Sequence, residues 1–169
     1  MHWLNLALCQ LVVGLLFLRA GTSKMRLSDV VELQLVVRQI LPTRTSTVVA
    51  RIMGPIEIVL ACLLLASSGR ARTIVLLVAS AFLLVMAWTI ARLRQIRSPM
   101  PCRCFGPVAT PVSWSDFVRN LALATWAAAT AVLTPPTRYD FGLTLVLAVP
   151  SAAIVLLLTR LSEIRATLR

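Results

Sequence analysis

The sequence predicts an all-α membrane protein: a bundle of five transmembrane helices, with an in-plane amphipathic helix after the first span. Three observations favour this class. The 169 residues are 59% hydrophobic, their mean hydropathy is +0.88, and only 14% of them are charged. These values lie outside the usual range of soluble domains. We therefore treat residues 1–169 as a single integral membrane domain.

The formal net charge of +11 does not by itself predict nucleic-acid binding. The arginines are scattered between apolar runs and form no single basic stripe with interleaved aromatic residues. Charged residues that border hydrophobic spans are typical of anchors at the membrane edge. The lipid bilayer is therefore the expected partner, and no nucleic acid is expected.

The first span is predicted over about 3–20, which is apolar apart from Asn5 and Gln10 and is long enough to cross a bilayer. We expect this helix to be retained, because no basic segment precedes it and no small-residue cleavage site follows. Apolar residues at helical spacing then predict an in-plane amphipathic helix that ends by Pro42. A short helix packed on the bundle is the alternative.

The second span is predicted over about 48–67 and carries Glu57 near its middle. Because an unpaired carboxylate is costly inside a membrane, Glu57 must be protonated, paired or facing a polar cavity. Arg19, Lys24 and Arg51 are the candidate partners. A functional role and a purely structural pairing both fit this position.

Three further spans are predicted over about 73–91, 118–134 and 141–159. Ser113 or Ser115 can cap the fourth span. A polar connection over 92–117, rich in proline, separates the third span from the fourth. Five spans put the two termini on opposite sides of the membrane, so this connection shares a face with the C-terminal tail.

Two cysteines in this connection are the candidate reactive groups. The segment reads Pro-Cys-Arg-Cys-Phe-Gly-Pro over 101–107. Cys102 and Cys104 can close only a small, strained ring, and strained disulfides exchange readily. Arg103 between them favours the thiolate, which is the attacking form. The connection is therefore predicted to be a redox loop that undergoes thiol–disulfide exchange.

The same two cysteines could also serve other functions. Structural zinc within one chain is disfavoured, because zinc needs four ligands and the single histidine, His2, is predicted on the far face. Two thiolates could instead hold copper(I) or another thiophilic ion, which would make this a metal-binding or transport protein. A non-catalytic subunit of a membrane complex is a further alternative.

Cys9 and Cys62 lie inside apolar spans. At about 1.5 Å rise per residue, the predicted layout places both at a similar depth toward the face opposite the redox loop. They could form a second thiol pair that exchanges electrons with Cys102 and Cys104 across the membrane. The alternative, which we weight more heavily, is that both are small packing residues, as buried cysteines usually are.

The redox loop and its surroundings resemble a known family. Pro-Cys-Arg-Cys-Phe-Gly, followed by Trp114, Asp116 and then Arg119 and Asn120 at the start of an apolar helix, resembles the methylamine-utilisation membrane proteins called MauE. These belong to the MauE/DoxX group of redox-associated membrane proteins.

Two other stretches fit the wider group: Arg-Ala-Gly-Thr-Ser-Lys over 19–24, and Glu57 in the second span. The resemblance covers the first four spans closely, so the core is expected to be a DoxX-like four-helix bundle. MauE proteins are also described as having five spans.

The resemblance implies a membrane protein that works with a thioredoxin-like partner in forming or rearranging disulfides of exported proteins. In the type case this occurs during maturation of a disulfide-rich amine dehydrogenase subunit in methylamine metabolism. Cys102 and Cys104 would be the redox-active pair, with Arg119, Asn120 and Glu57 as supporting residues. Regenerating the pair as an oxidase requires an electron acceptor. A membrane quinone is the natural candidate, although no quinone-binding motif is visible.

The sequence gives conflicting indications of the membrane orientation. Most of the 17 lysines and arginines border the face that carries the redox loop, and the positive-inside rule would place that face in the cytoplasm. A partner that oxidises exported proteins requires the opposite face. The expected location is the plasma membrane of a bacterium, with several spans, and both orientations of the loop are consistent with the sequence.

Overall fold

The computed structural model describes residues 2–25, 27–96, 113–133, 147 and 149–157. These parts of the chain contain no strand, which confirms the predicted all-α class. The five helices are α1 (His2–Ser23), α2 (Leu27–Val37), α3 (Thr43–Ala66), α4 (Gly69–Gln95) and α5 (Trp114–Leu133). Residues 149–157 are also helical.

Three of the helices, α1, α3 and α4, are long and apolar enough to cross a membrane. Their outward faces carry large apolar side chains, such as Val59, Ile74 and Val85, which are each more than half exposed. Soluble monomers rarely expose contiguous apolar surfaces of this kind, whereas lipid-facing helices require them. The structure therefore has the surface of a membrane protein.

The predicted count of five spans stays a prediction. The 20-residue helix α5 corresponds to the fourth predicted span but is not among the three that pass on length and composition. Much of the fifth predicted span, 141–159, lies outside the described residues. At the ends of the predicted redox loop 92–117, α4 continues to Gln95 and α5 begins at Trp114.

Four helices close into a ring, because α1 packs on α3 and α5, and α4 packs on the same two helices. Phe17 of α1 meets Phe82 of α4 edge to face in the centre, with ring centroids 5.5 Å apart. The buried Ser80 hydroxyl of α4 donates to the carbonyl oxygen of Ala124 of α5 at 2.8 Å. Apolar packing and a few interhelical hydrogen bonds thus hold the ring together.

Helix α2 packs on α3, with Val36 and Val37 buried. It ends at Val37, before the predicted stop at Pro42. The packing agrees with the alternative of a short helix on the bundle, and a position in the membrane plane stays a prediction. Because α1 ends beside the middle of α3, the first half of α3 extends beyond α1, and α2 packs there.

The backbones of α1 and α3 nearly touch at two glycines. A Cβ atom on Gly21 would lie 2.9 Å from the carbonyl oxygen of Gly54 and 3.0 Å from the backbone nitrogen of Ile58. A Cβ atom on Gly54 would lie 3.3 Å from the carbonyl oxygen of Gly21. Small residues are needed where membrane helices approach this closely. This glycine contact fixes the register of α1 against α3.

We expect Gly21→Ala to push α1 away from α3, because the added methyl group would collide with backbone atoms that cannot move independently. Overpacking of this kind costs about 1–3 kcal/mol, which should appear as a lower midpoint of thermal unfolding in detergent. Gly14→Ala is the matched control on the same helix. Its Cβ atom would meet the Leu65 side chain at 3.1 Å, and that side chain can rotate. Equal losses in the two variants would contradict the close backbone contact.

Candidate functional site

A buried ion pair joins Lys24, the residue directly after α1, to Glu57 of α3. The Lys24 ammonium donates to both carboxylate oxygens of Glu57, at 2.5 and 2.6 Å, and the two side chains are 5% and 3% exposed. Of the three candidate partners for Glu57, the structure selects Lys24. The carboxylate is therefore compensated inside an apolar helix, where an isolated charge would be very costly.

The ion pair lies beside the glycine contact of the antiparallel helices α1 and α3, since a Cβ atom on Gly54 would lie 3.4 Å from the Cβ atom of Lys24. Lys24 follows Gly21 by three residues, and Glu57 follows Gly54 by three. Residues three apart share a face of a helix, so the approach of the two backbones brings the charged side chains together. The sequence signal that points to Lys24 is the repeated spacing Gly-x-x-Lys and Gly-x-x-Glu.

Ser113 and Asp116 fix the start of α5 by capping each other. The Asp116 carboxylate accepts from the backbone N–H of Ser113 at 3.2 Å and from its hydroxyl at 2.7 Å. The Asp116 N–H in turn donates to the Ser113 hydroxyl oxygen at 3.3 Å. This reciprocal arrangement is a capping box, with aspartate in the position that usually holds glutamate. It identifies Ser113, of the two predicted candidates, as the N-terminal cap.

Arg119 and Asn120, the two predicted supporting residues of α5, are fixed by the same first turn. The Arg119 guanidinium donates to the Asp116 carboxylate at 3.0 Å, with both side chains largely buried. The Asn120 side-chain amide N–H donates to the Asp116 carbonyl oxygen at 2.8 Å. Asn120 is fully buried, yet its side-chain oxygen accepts no hydrogen bond within the described ranges. A buried acceptor without a partner is costly, so this oxygen is available for a donor.

The end of α4 and the start of α5 are joined by a ring contact. The Arg94 guanidinium lies over the Trp114 ring, 5.2 Å from its centroid, which is within the range of cation–π attraction. Cys102, Arg103 and Cys104 lie outside the described residues. The connection that contains them leaves α4 and enters α5 at this same end of the bundle.

An apolar groove, which the sequence did not indicate, lies between α2, α3 and α4. Its volume is about 210 Å³. The lining includes Val36 of α2, Val49 and Met53 of α3, and residues near the end of α4. Lys24 borders it as well. The groove therefore connects the buried ion pair with the end of the bundle where α4 meets the redox loop.

Cys9 and Cys62 are both free thiols in the structure. Cys9 is fully buried in the core, whereas Cys62 lies on an exposed side of α3. Full burial is what we expect of Cys9 as a packing residue. Exchange between these two thiols stays a prediction. Across the described parts of the chain, no group of three or more His, Cys, Asp or Glu residues could hold a metal ion.

The fold and the site together define a helical membrane protein with a Cys-x-Cys segment between two packed helices. A protein-family model described as Methylamine utilisation protein MauE matches residues 1–134, which is most of the chain. The chain belongs to the MauE family. Searches of curated proteins and of solved structures found no match.

Removing only one partner of the ion pair should be more harmful than removing both. We expect Glu57→Leu to lower the free energy of unfolding by about 3–5 kcal/mol, because it leaves the Lys24 ammonium buried without its counter-charge. The double variant Lys24→Met with Glu57→Leu should recover a large part of that loss. Thermal unfolding in detergent measures both. If the double variant lost as much stability as the Lys24→Met and Glu57→Leu single variants lose together, the two charges would not interact.

Proposed function

We propose that this chain is a membrane thiol–disulfide oxidoreductase, in which Cys102 and Cys104 exchange a disulfide with a thioredoxin-like protein during disulfide formation in exported proteins. The protein would span the plasma membrane of a bacterium five times, as the sequence predicts. Membership of the MauE family supports a role in methylamine utilisation. The observation that carries the proposal is the Cys-Arg-Cys segment in the connection between α4 and α5.

The proposed reaction transfers two electrons from the partner to this chain. A thiolate of the reduced partner attacks the Cys102–Cys104 disulfide and forms a mixed disulfide, and one loop cysteine leaves as a thiolate. The second partner thiolate then attacks the mixed disulfide. The partner leaves oxidised, and Cys102 and Cys104 remain as a dithiol. The small ring favours the first step, because strained disulfides are the readily exchanged kind.

Charge and hydrogen bonding at the helix ends support this chemistry. Arg103 lies between the two cysteines in the sequence, and Arg94 and Arg119 are held at the ends of α4 and α5 by Trp114 and Asp116. Positive charge near a thiol stabilises its thiolate. The side-chain oxygen of Asn120, which has no hydrogen-bond partner among the described residues, offers an acceptor for an N–H or S–H group of the loop.

Single-cysteine variants should trap the partner. In Cys104→Ser the mixed disulfide at Cys102 cannot be released by Cys104, and Cys102→Ser tests the converse. We expect one of the two variants to accumulate a disulfide-linked complex in intact cells, identified by mass spectrometry after non-reducing electrophoresis. The double serine variant is the control that should capture nothing. Capture of an exported thioredoxin-like protein would place the loop outside the cytoplasm. Full function of the double serine variant would refute the proposal.

Asn120 should act as a positioning residue for the loop. We expect Asn120→Ala to slow disulfide exchange with the partner about tenfold. This corresponds to about 1.4 kcal/mol, which lies in the range for one lost hydrogen bond between neutral groups. Thr125→Ala, about one turn further along α5, is the matched control, because within the described residues its hydroxyl donates to carbonyl oxygens of its own helix. The exchange rate should fall only in the Asn120 variant at equal thermal stability. Equal rates in both variants would assign Asn120 a packing role alone.

A further inference from the structure

The groove between α2, α3 and α4 offers a ligand almost no polar surface. Lys24 borders it, but the Lys24 ammonium is bound to both carboxylate oxygens of Glu57. Thr89 also lines the groove, and its hydroxyl donates to the Val85 carbonyl oxygen of its own helix at 2.9 Å. A ligand with hydrogen-bonding groups would lose its bonds to water here without gaining others, whereas a hydrocarbon chain has none to lose. The lining therefore selects hydrocarbon.

The groove opens onto the lipid-facing surface of the protein. Val85 and Trp88 belong to its lining, and these two side chains are 56% and 55% exposed. Val85 is one of the outward residues that give the membrane-spanning helix α4 its apolar surface. The mouth of the groove is thus continuous with the surface that contacts the bilayer. A phospholipid of the bilayer is therefore the occupant with direct access.

A hydrocarbon chain in the groove would join two helices that otherwise meet mainly through α3. Helices α2 and α4 both pack on α3 but pack little on each other, and the groove is the space between them. Its volume is about 210 Å³, which exceeds the apolar cavity of about 150 Å³ that binds benzene. Along α4 it extends from Val85 to Leu93, about 12 Å at 1.5 Å per residue. An acyl chain there would supply the dispersion contacts that the lining of an empty space forfeits.

Arg92 lies outside the groove, at the place where the headgroup of such a lipid would be. Val85, Trp88 and Arg92 are spaced by three and four residues, so they share one face of α4. The Arg92 guanidinium lies 6.0 Å from the centroid of the Trp88 ring, and the Arg92 side chain is exposed in the last turn of α4. Tryptophan and arginine side chains near the end of a membrane helix lie at the level of the headgroups. A phosphate at Arg92 would leave an acyl chain free to follow the same face of α4 into the groove.

We propose that this groove is a binding site for one phospholipid of the bilayer, with an acyl chain between α2 and α4 and the phosphate against Arg92. The site goes beyond the proposed function, because it does not depend on thiol–disulfide exchange. The acyl chain provides the contact that α2 and α4 lack, so the lipid holds α2 in place. Because a ligand that binds only the folded state stabilises it, removing the lipid should destabilise the protein.

The test uses the full-length protein, purified in a mild detergent and washed free of lipid. The probe is a phosphatidylglycerol that carries a photoreactive diazirine in the middle of one acyl chain. We expect the probe to label peptides of α2, α3 and α4 that line the groove. Its binding should saturate at one lipid per protein in native mass spectrometry and should raise the midpoint of thermal unfolding.

Val49→Trp fills the groove from α3, and Val48→Trp is the matched control because Val48 lies outside the lining and is 57% exposed. We expect Val49→Trp to weaken binding of the probe at least tenfold and to abolish the rise in midpoint, and Val48→Trp to leave both unchanged. Thr89→Phe, from the α4 side of the groove, is a second filling variant that should act like Val49→Trp. Circular dichroism checks that each variant retains its helices.

Arg92→Gln tests the position of the headgroup. We expect it to weaken binding of the probe about threefold, the size of one exposed ion pair. Binding of the matching diacylglycerol, which has no phosphate, should stay unchanged. Arg70→Gln, which replaces an exposed arginine at the opposite end of α4, is the control that should alter neither affinity. Equal effects of the two arginine variants would overturn the contact with Arg92.

Three results would overturn the lipid site. The first is binding as tight in both filling variants as in the wild type, and the second is stepwise binding of several lipids without saturation. The third is labelling that leaves the lining of the groove untouched. This third result is also the one expected if another segment of this chain or a second copy of it occupied the groove.

Discussion

The close approach of Gly21 and Gly54 is the constraint on which the rest of the structure depends. Since neither residue has a side chain, α1 and α3 meet backbone to backbone, and Lys24 and Glu57, each three residues after its glycine, come together beside this contact. The same contact fixes how far α1 reaches along α3. About 21 Å of α3 separates its start from Glu57, at 1.5 Å per residue, and this half lies largely beyond the end of α1. Helix α2 packs there, and the groove forms between α2, α3 and α4.

The two ends of the ring are held differently. At the end where α3 stops, the Gln10 amide of α1 donates to the carbonyl oxygens of Leu64 and Ser67, which satisfies acceptors that the last turn of a helix leaves free. At the other end the fixed points are the capping box of α5 and the Arg94–Trp114 contact. The redox loop is therefore attached to two helix ends that are already held together.

Much of this architecture could be predicted from the sequence. The length of an apolar run and the energetic cost of burying a charge can both be read from a single helix. The helices, the capping residue and the need for a partner at Glu57 follow from spacing and from the cost of a buried charge. The choice of Lys24 over Arg19 and Arg51 was missed, since the matching Gly-x-x spacings identify it only once Gly21 and Gly54 are known to meet. The groove was missed for a similar reason: its lining comes from three helices, and each contributes residues that read as ordinary core. Cys102 and Cys104 were found by their chemistry alone, and their geometry lies outside the described residues.

The buried ion pair also bears on how the chain enters the bilayer. A single acidic residue at the centre of a membrane helix costs about 2.5–3.5 kcal/mol on insertion scales, so α3 is a poor insertion substrate on its own. Lys24 precedes Glu57 in the chain and is therefore synthesised first. When α3 leaves the ribosome, the Lys24 ammonium that pairs with Glu57 has therefore already been synthesised at the end of α1. The two helices can then enter the lipid as one hairpin in which Glu57 is already paired, with α2 as the connection. Insertion and the final packing would then use the same contact.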